Sequence, residues 1–242
     1  MFLFAPPSFF TFESERFYSW PNPVGLTLLM VGLLVVSPEV KSQTAIIQDK
    51  DGWTNLRKAP HGKAEIIGQV PDNVAFWYDV DDYSAGETWI SVSVNEQMLG
   101  DTAAGEAFIH RSRVLDLQDA VPYTGTSFQF QYVLTEFNPT GRELTYHQDS
   151  ILVAIDQQRP WGTDGNLPKV AVRGIEVRIN EMEIPIPSLW YEDLFECSNT
   201  YEVVKVGSTY FVHQWNSDGA GGYQVVWVID ETGVRQRLVK GI

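Results

Sequence analysis

At 242 residues with 44% hydrophobic side chains, the chain has enough apolar mass for one large core or two small ones, which excludes disorder as its default state. Acidic residues outnumber basic ones 31 to 17, and the resulting net charge of -14 argues against nucleic acid or an anionic membrane surface as a partner. The single cysteine, Cys197, excludes an intrachain disulfide and a Cys/His metal cluster, and no cofactor is expected.

Taken in chain order, the first feature is the run Val24 to Val36, apolar except for Thr27. It is short for a membrane span and of the right length for the core of a signal peptide. Val40-Lys41-Ser42 places compatible residues before a cleavage point between Ser42 and Gln43. Residues 1–42 therefore read as a signal peptide, or as a mis-called start plus a signal, because Glu13 and Glu15 outnumber Arg16 in a flank that should be positive. The rival reading is an uncleaved anchor, the one route by which this chain would touch a membrane. Export to the periplasm or the extracellular space follows from the first reading.

Residues 43–118 form the first predicted domain. Short strands are expected near Ala45–Ile47, Thr54–Arg57, Ile66–Val70, Val74–Val80, Trp89–Val94 and Ala107–Ile109, punctuated by Pro60, Gly62 and Pro71-Asp72-Asn73. Asp81 to Gly86 and Asn95 to Glu106 are longer connections, and Asp49-Lys50-Asp51-Gly52 reads as a turn because it lacks the other ligands of a calcium loop. In Ala75-Phe76-Trp77-Tyr78, alternation puts Phe76 and Tyr78 on one face and Trp77 on the other. Trp53, Trp77, Tyr78, Tyr83 and Trp89 are more large rings than so small a module can enclose, and they are the candidate ligand-binding residues.

The run Asp51-Gly52-Trp53-Thr54-Asn55-Leu56-Arg57-Lys58-Ala59-Pro60, the strand Ile66-Ile67-Gly68-Gln69-Val70, Trp89-Ile90 and Phe108-Ile109-His110-Arg111-Ser112-Arg113-Val114 together resemble a bacterial SH3-like domain over about residues 44–117. The resemblance implies a small antiparallel barrel. It also implies a ligand among cell-wall peptides or envelope proteins, taken up by an aromatic groove that accepts an extended backbone.

Residues 123–242 form a second predicted domain, β-rich, with one short helix and of unknown purpose. Phe128, Phe130 and Tyr132 alternate with glutamines, Ile151–Ile155 is a short apolar strand, and Ile175 to Ile186 reads as a hairpin with one apolar face. Pro187-Ser188 opens a helix to about Cys197, with Trp190, Leu194 and Cys197 on its packing face and Glu192-Asp193 favouring its amino terminus. Strands at Tyr201–Val206, Thr209–Trp215, Tyr223–Ile229 and Val234–Val239 close the chain. The loop between the middle two carries three glycines, which permit positive φ and close backbone approach. With Trp215, Asn216, Asp218, Gly219 and Trp227 it is a candidate second rim. This half resembles uncharacterised secreted proteins of Bacteroides type, a resemblance that implies no activity.

The chemistry available for catalysis is sparse. Cys197 with His213 is the one pair to weigh as a cell-wall peptidase dyad, but Phe195-Glu196-Cys197-Ser198-Asn199 lacks the Asp-Cys context of such enzymes. His61, His110, His147 and His213 show no metal-ligand spacing. The expectation is an exported, mainly β, non-enzymatic binding or scaffold protein, with a cell-wall hydrolase using Cys197 and His213 as the alternative.

Overall fold

The computed structural model describes residues 42–79, 88–94 and 105–241. The expected leader and Tyr83 lie outside that set, apart from Ser42, where the first strand begins. The described residues are mainly β, and the only helical elements among them are three 3-10 turns of three residues each.

Seven strands occupy the first part of the chain: β1 (Ser42–Ile47), β2 (Trp53–Arg57), β3 (Ile66–Pro71), β4 (Ala75–Asp79), β5 (Trp89–Val94), β6 (Gly105–His110) and β7 (Val114–Asp116). They make two antiparallel sheets, ordered β4-β1-β7 and β3-β2-β6-β5. Ile47, Leu56, Val70, Phe76, Ile90 and Ile109 are among the side chains of the core that these sheets share. Alternation fixes which residues enter it: in β2, Thr54 and Leu56 are buried while Trp53, Asn55 and Arg57 face outward. No closed barrel forms among the described residues, since the two sheets share no hydrogen-bonded ladder.

Nine strands follow: β8 (Phe128–Glu136), β9 (Leu144–His147), β10 (Ile151–Ile155), β11 (Val170–Ile179), β12 (Met182–Glu183), β13 (Glu202–Val206), β14 (Thr209–Asn216), β15 (Tyr223–Asp230) and β16 (Gly233–Gly241). Their sheets are ordered β12-β11-β8, β13-β14-β15-β16 and β10-β9. Asn180 and Glu181, at φ 49° and 69°, make the β11–β12 hairpin turn with two left-handed residues, the geometry that matches strand twist.

The four-stranded sheet β13-β14-β15-β16 is covered on both faces. Tyr210, Val212, Val225 and Trp227 point into a core shared with Phe130 and Val177 of the β12-β11-β8 sheet. Phe211, Val226, Val228 and Leu238 point the other way, onto Ile46 and Ala75 of the β4-β1-β7 sheet, with Trp77 packed beside them. β15 is accordingly buried at every residue from Tyr223 to Ile229, and its apolar run Val225–Ile229 is what a strand with two packed faces requires. Polar contacts cross the second interface: Gln236 donates from Nε2 to the Ala75 carbonyl and accepts the Ala75 N–H at Oε1, both at 2.9 Å, and the Thr44 hydroxyl donates to Gln224 at 3.3 Å. The connection between the two halves is itself tied down, with Tyr123 N–H donating to the Val203 carbonyl on the edge of β13.

The helix expected over Ser188 to Cys197 is a single 3-10 turn, Ser188–Trp190. Tertiary pairing outcompetes it. Trp161 N–H donates to Asp193 O, Phe195 N–H to Trp161 O and Glu196 N–H to Val170 O, so the backbone groups that a helix would pair internally are taken by neighbouring segments. Leu194 and Cys197 still reach the core, with Trp190 packed against it. Glu192 and Asp193 have no helix terminus to favour: Glu192 accepts from Gln158, and Asp193 forms a bidentate pair with Arg237 at 2.5 and 2.9 Å.

Candidate functional site

The outer face of the β3-β2-β6-β5 sheet carries a cleft of about 290 Å³ lined by Trp53, Arg57, Trp89, His110, Arg113 and Asp51, among others. Strand alternation explains the set. Trp53 and Arg57 are four residues apart on β2 and share its outward face, and Trp89 stands directly opposite His110 across the β5–β6 ladder. The His110 ring meets the Trp89 indole edge-on, with centroids 5.1 Å apart at 83°. Trp53 is 41% exposed and Trp89 half-buried, so both indoles present surface to a ligand.

The rim is fixed by side-chain bonds. Asp49, nearly buried, accepts from Asp51 N–H and pairs with Arg113 at 2.5 Å, closing the 49–52 turn against the 3-10 turn Arg111–Arg113. The Ser112 N–H donates to His110 Nδ1 at 3.2 Å. Arg57 donates from Nη1 to the Ala64 carbonyl at 2.8 Å, which ties it to the β2–β3 loop.

Of the five rings singled out in the sequence, Trp53 and Trp89 meet in this cleft. Trp77 does not reach it, because it faces the β13–β16 sheet. Tyr78 is enclosed at 4% exposure and donates its hydroxyl to the buried Asp116 at 2.5 Å, so it serves the core and not a ligand. Burial, reinforced by that carboxylate, pushes its phenol far above the usual value. Arg57, His110 and Arg113 went unselected in the sequence reading. The period-two spacing from Trp53 to Arg57 was the available signal for the first, and the cross-strand partnership of His110 depends on a pairing that the sequence does not display.

The second rim does not assemble. Trp227 is fully buried, donating from Nε1 to the Tyr132 hydroxyl at 2.7 Å, and Asn216 is buried, accepting from Ser198 N–H. Trp215 is half exposed on the opposite face of the sheet, and Asp218 and Gly219 are exposed. The glycines of this loop do have the two uses expected of them: Gly219 sits at φ +53°, and a Cβ on Gly221 would approach the Gly162 carbonyl to 3.0 Å.

Cys197 and His213 are also kept apart. Cys197 lies in the core with Val212 and Val225, its sulfur 3.0 Å from the Tyr223 hydroxyl, and burial pushes its thiol up to about 12. His213 follows Val212 on β14 and so projects from the other face of the sheet. Among the described residues no group of three or more His, Cys, Asp or Glu could hold a metal ion.

His213 has a consequence for stability. It is buried, its Nε2 lacks a hydrogen-bond partner, and loss of solvation lowers its pKa from 6.5, offset in part by Glu202 at 3.7 Å. The unfolded chain thus binds this proton more readily than the folded one, and stability falls as pH drops below about 6.5 until the lowered folded value is passed. Urea midpoints measured at pH 7.5 and 5.5 should fall more in the wild type than in His213→Gln. Equal falls would mean that the ring does not report its burial.

Larger depressions exist among the described residues, one of about 990 Å³ beside Gln129, Glu176, Arg178, Glu183 and Tyr201. There Arg178 is paired with Glu183 at 2.6 Å, and the glutamines and charges around it are solvent-facing. Comparison with protein-family models, with curated proteins and with solved structures gives no match to this chain.

Proposed function

We propose that this is an exported, non-enzymatic binding protein whose amino-terminal module takes up an extended peptide of the cell envelope, the peptide stems of peptidoglycan foremost. The observation that carries the reading is the pairing of two solvent-facing indoles, Trp53 and Trp89, in one cleft with fixed polar walls. Flat rings accept a ligand backbone at low ordering cost, and polar groups at the margin orient it. The apolar run Val24 to Val36 supports export, and the resemblance of residues 44–117 to bacterial SH3-like domains supports the ligand class. The hydrolase alternative draws no support from Cys197 and His213, which face opposite sides of one sheet.

Co-sedimentation with purified sacculi tests the reading. The wild type should be retained, and Trp53→Ala and Trp89→Ala should each weaken retention by about tenfold or more, as expected for a central aromatic anchor worth ~2 kcal/mol. Both indoles are on the surface, so far-UV circular dichroism should be unchanged. Absence of wild-type retention, or retention indifferent to both substitutions, would overturn the proposal.

A further inference from the structure

The charge around the cleft differs from that of the chain. Arg57-Lys58-Ala59-Pro60-His61-Gly62-Lys63 holds three cations in seven residues of a protein whose net charge is -14. Most nearby charges cancel locally: Arg113 pairs with Asp49 at 2.5 Å, Arg111 with Asp116, and Lys58 with Glu65 at 3.4 Å. Within the cleft two charges are left over: Asp51, which shares Arg113 with Asp49 only at 3.8 Å, and Arg57, the cation at the other end of the outward face of β2. One guanidinium nitrogen is committed to the Ala64 carbonyl, and no carboxylate among the described residues pairs with it. That single bond also pre-orders the side chain, so less freedom is lost when the remaining donors engage.

His110 adds a second donor. Its Nδ1 accepts the Ser112 N–H, which places the proton of the neutral ring on Nε2. Trp89 faces the ring across the β5–β6 ladder, and β6 pairs on its other side with β2, where Arg57 stands opposite Phe108, two residues before His110. The cleft therefore offers two aromatic faces, the uncommitted N–H groups of Arg57 and the Nε2–H of His110.

We infer that the cleft selects its peptide by a free carboxylate, held by Arg57 and the His110 Nε2–H while the flanking backbone lies over Trp53 and Trp89. The inference rests on the proposed function and narrows it to peptidoglycan whose stem carboxyls are unamidated.

The test uses the full chain and sacculi in two forms, native and with free carboxyls converted to methylamides by carbodiimide coupling. Native sacculi should retain the wild type about tenfold better than amidated ones, and added salt should shrink the difference. Arg57→Gln should lose about tenfold on native sacculi and almost nothing further on amidated ones, since variant and ligand then lack the same contact. Arg57→Lys, which keeps the charge without the planar fork, should fall between. Equal retention of both forms by the wild type, with Trp53→Ala still weakening it, would overturn the carboxylate inference and leave the cleft reading standing. Retention of neither form would overturn both. Binding to a soluble glutamate-rich peptide with no binding to sacculi would overturn the cell-wall assignment.

Discussion

Replacing Gln236 with leucine should lower the unfolding free energy by about 3 kcal/mol, because two buried backbone groups lose their only side-chain partner at once. Gln236 is 8% exposed and spans the interface between the β4-β1-β7 and β13–β16 sheets, accepting from Ala75 N–H and donating to Ala75 O. Leucine has similar volume and is apolar, so packing is nearly kept and the loss comes from stranded polar groups. For a chain of this size the expected drop in melting temperature is roughly 6 to 12 °C. Gln236→Glu is the informative companion: it keeps an acceptor for the N–H, removes the donor to the carbonyl and buries a charge, and should be at least as harmful. A melting temperature within about 1 °C of wild type in the leucine variant would show that the two bonds do not hold the layers together.

Trp227→Ala should be more severe, costing about 5 kcal/mol, the upper end of large-to-small core changes, before any loss from the orphaned Tyr132 hydroxyl. The indole has no exposed surface and sits against Phe130 and Tyr132, with ring centroids 6.1 and 6.5 Å away. Its Nε1 is bonded to the Tyr132 hydroxyl, and Tyr132 is itself 1% exposed. Trp227→Phe separates the contributions, since it keeps an aromatic ring and removes the donor. Denaturant unfolding should place the phenylalanine variant between wild type and alanine. An alanine variant that unfolds at the wild-type midpoint would contradict the central position given to this ring.

How far the fold could be read beforehand depended on how local its causes are. Strands β5 and β10 were legible to the residue, and β2, β14 and β16 to within a residue or two, because period-two alternation and turn residues act over short distances. β9 was missed, since Leu144-Thr145-Tyr146-His147 alternates over only four residues and buries none of them fully, too short a run to stand out. The helix over Ser188 to Cys197 had local support and failed through backbone bonds to Trp161 and Val170, which sit far away in sequence. The same limit governs the candidate site. Facing of Trp77 away from Phe76 and Tyr78 followed from the pleat, whereas its burial against β13–β16 required knowing that a second sheet lies there. Trp227 and Asn216 looked like rim residues for the same reason: proximity in sequence to a glycine loop says nothing about which way a side chain turns.

The doubly covered sheet has one further consequence. In a strand with a wet side and a dry side, sliding by one residue is punished at once, since every apolar group is thrown into water. β15 lacks that safeguard, as Val225-Val226-Trp227-Val228-Ile229 is greasy on both sides and a shifted copy would look almost equally satisfied. Alignment then comes from the two-residue turn that pairs Asp230 with Gly233, and from the few amides that tolerate only one neighbour: Gln224 opposite Thr44, Gln236 astride Ala75, and Asn216 with Gln214 on the Ser198 backbone. A version of this chain with those four residues made aliphatic would keep its greasiness and hold its place by its turns alone.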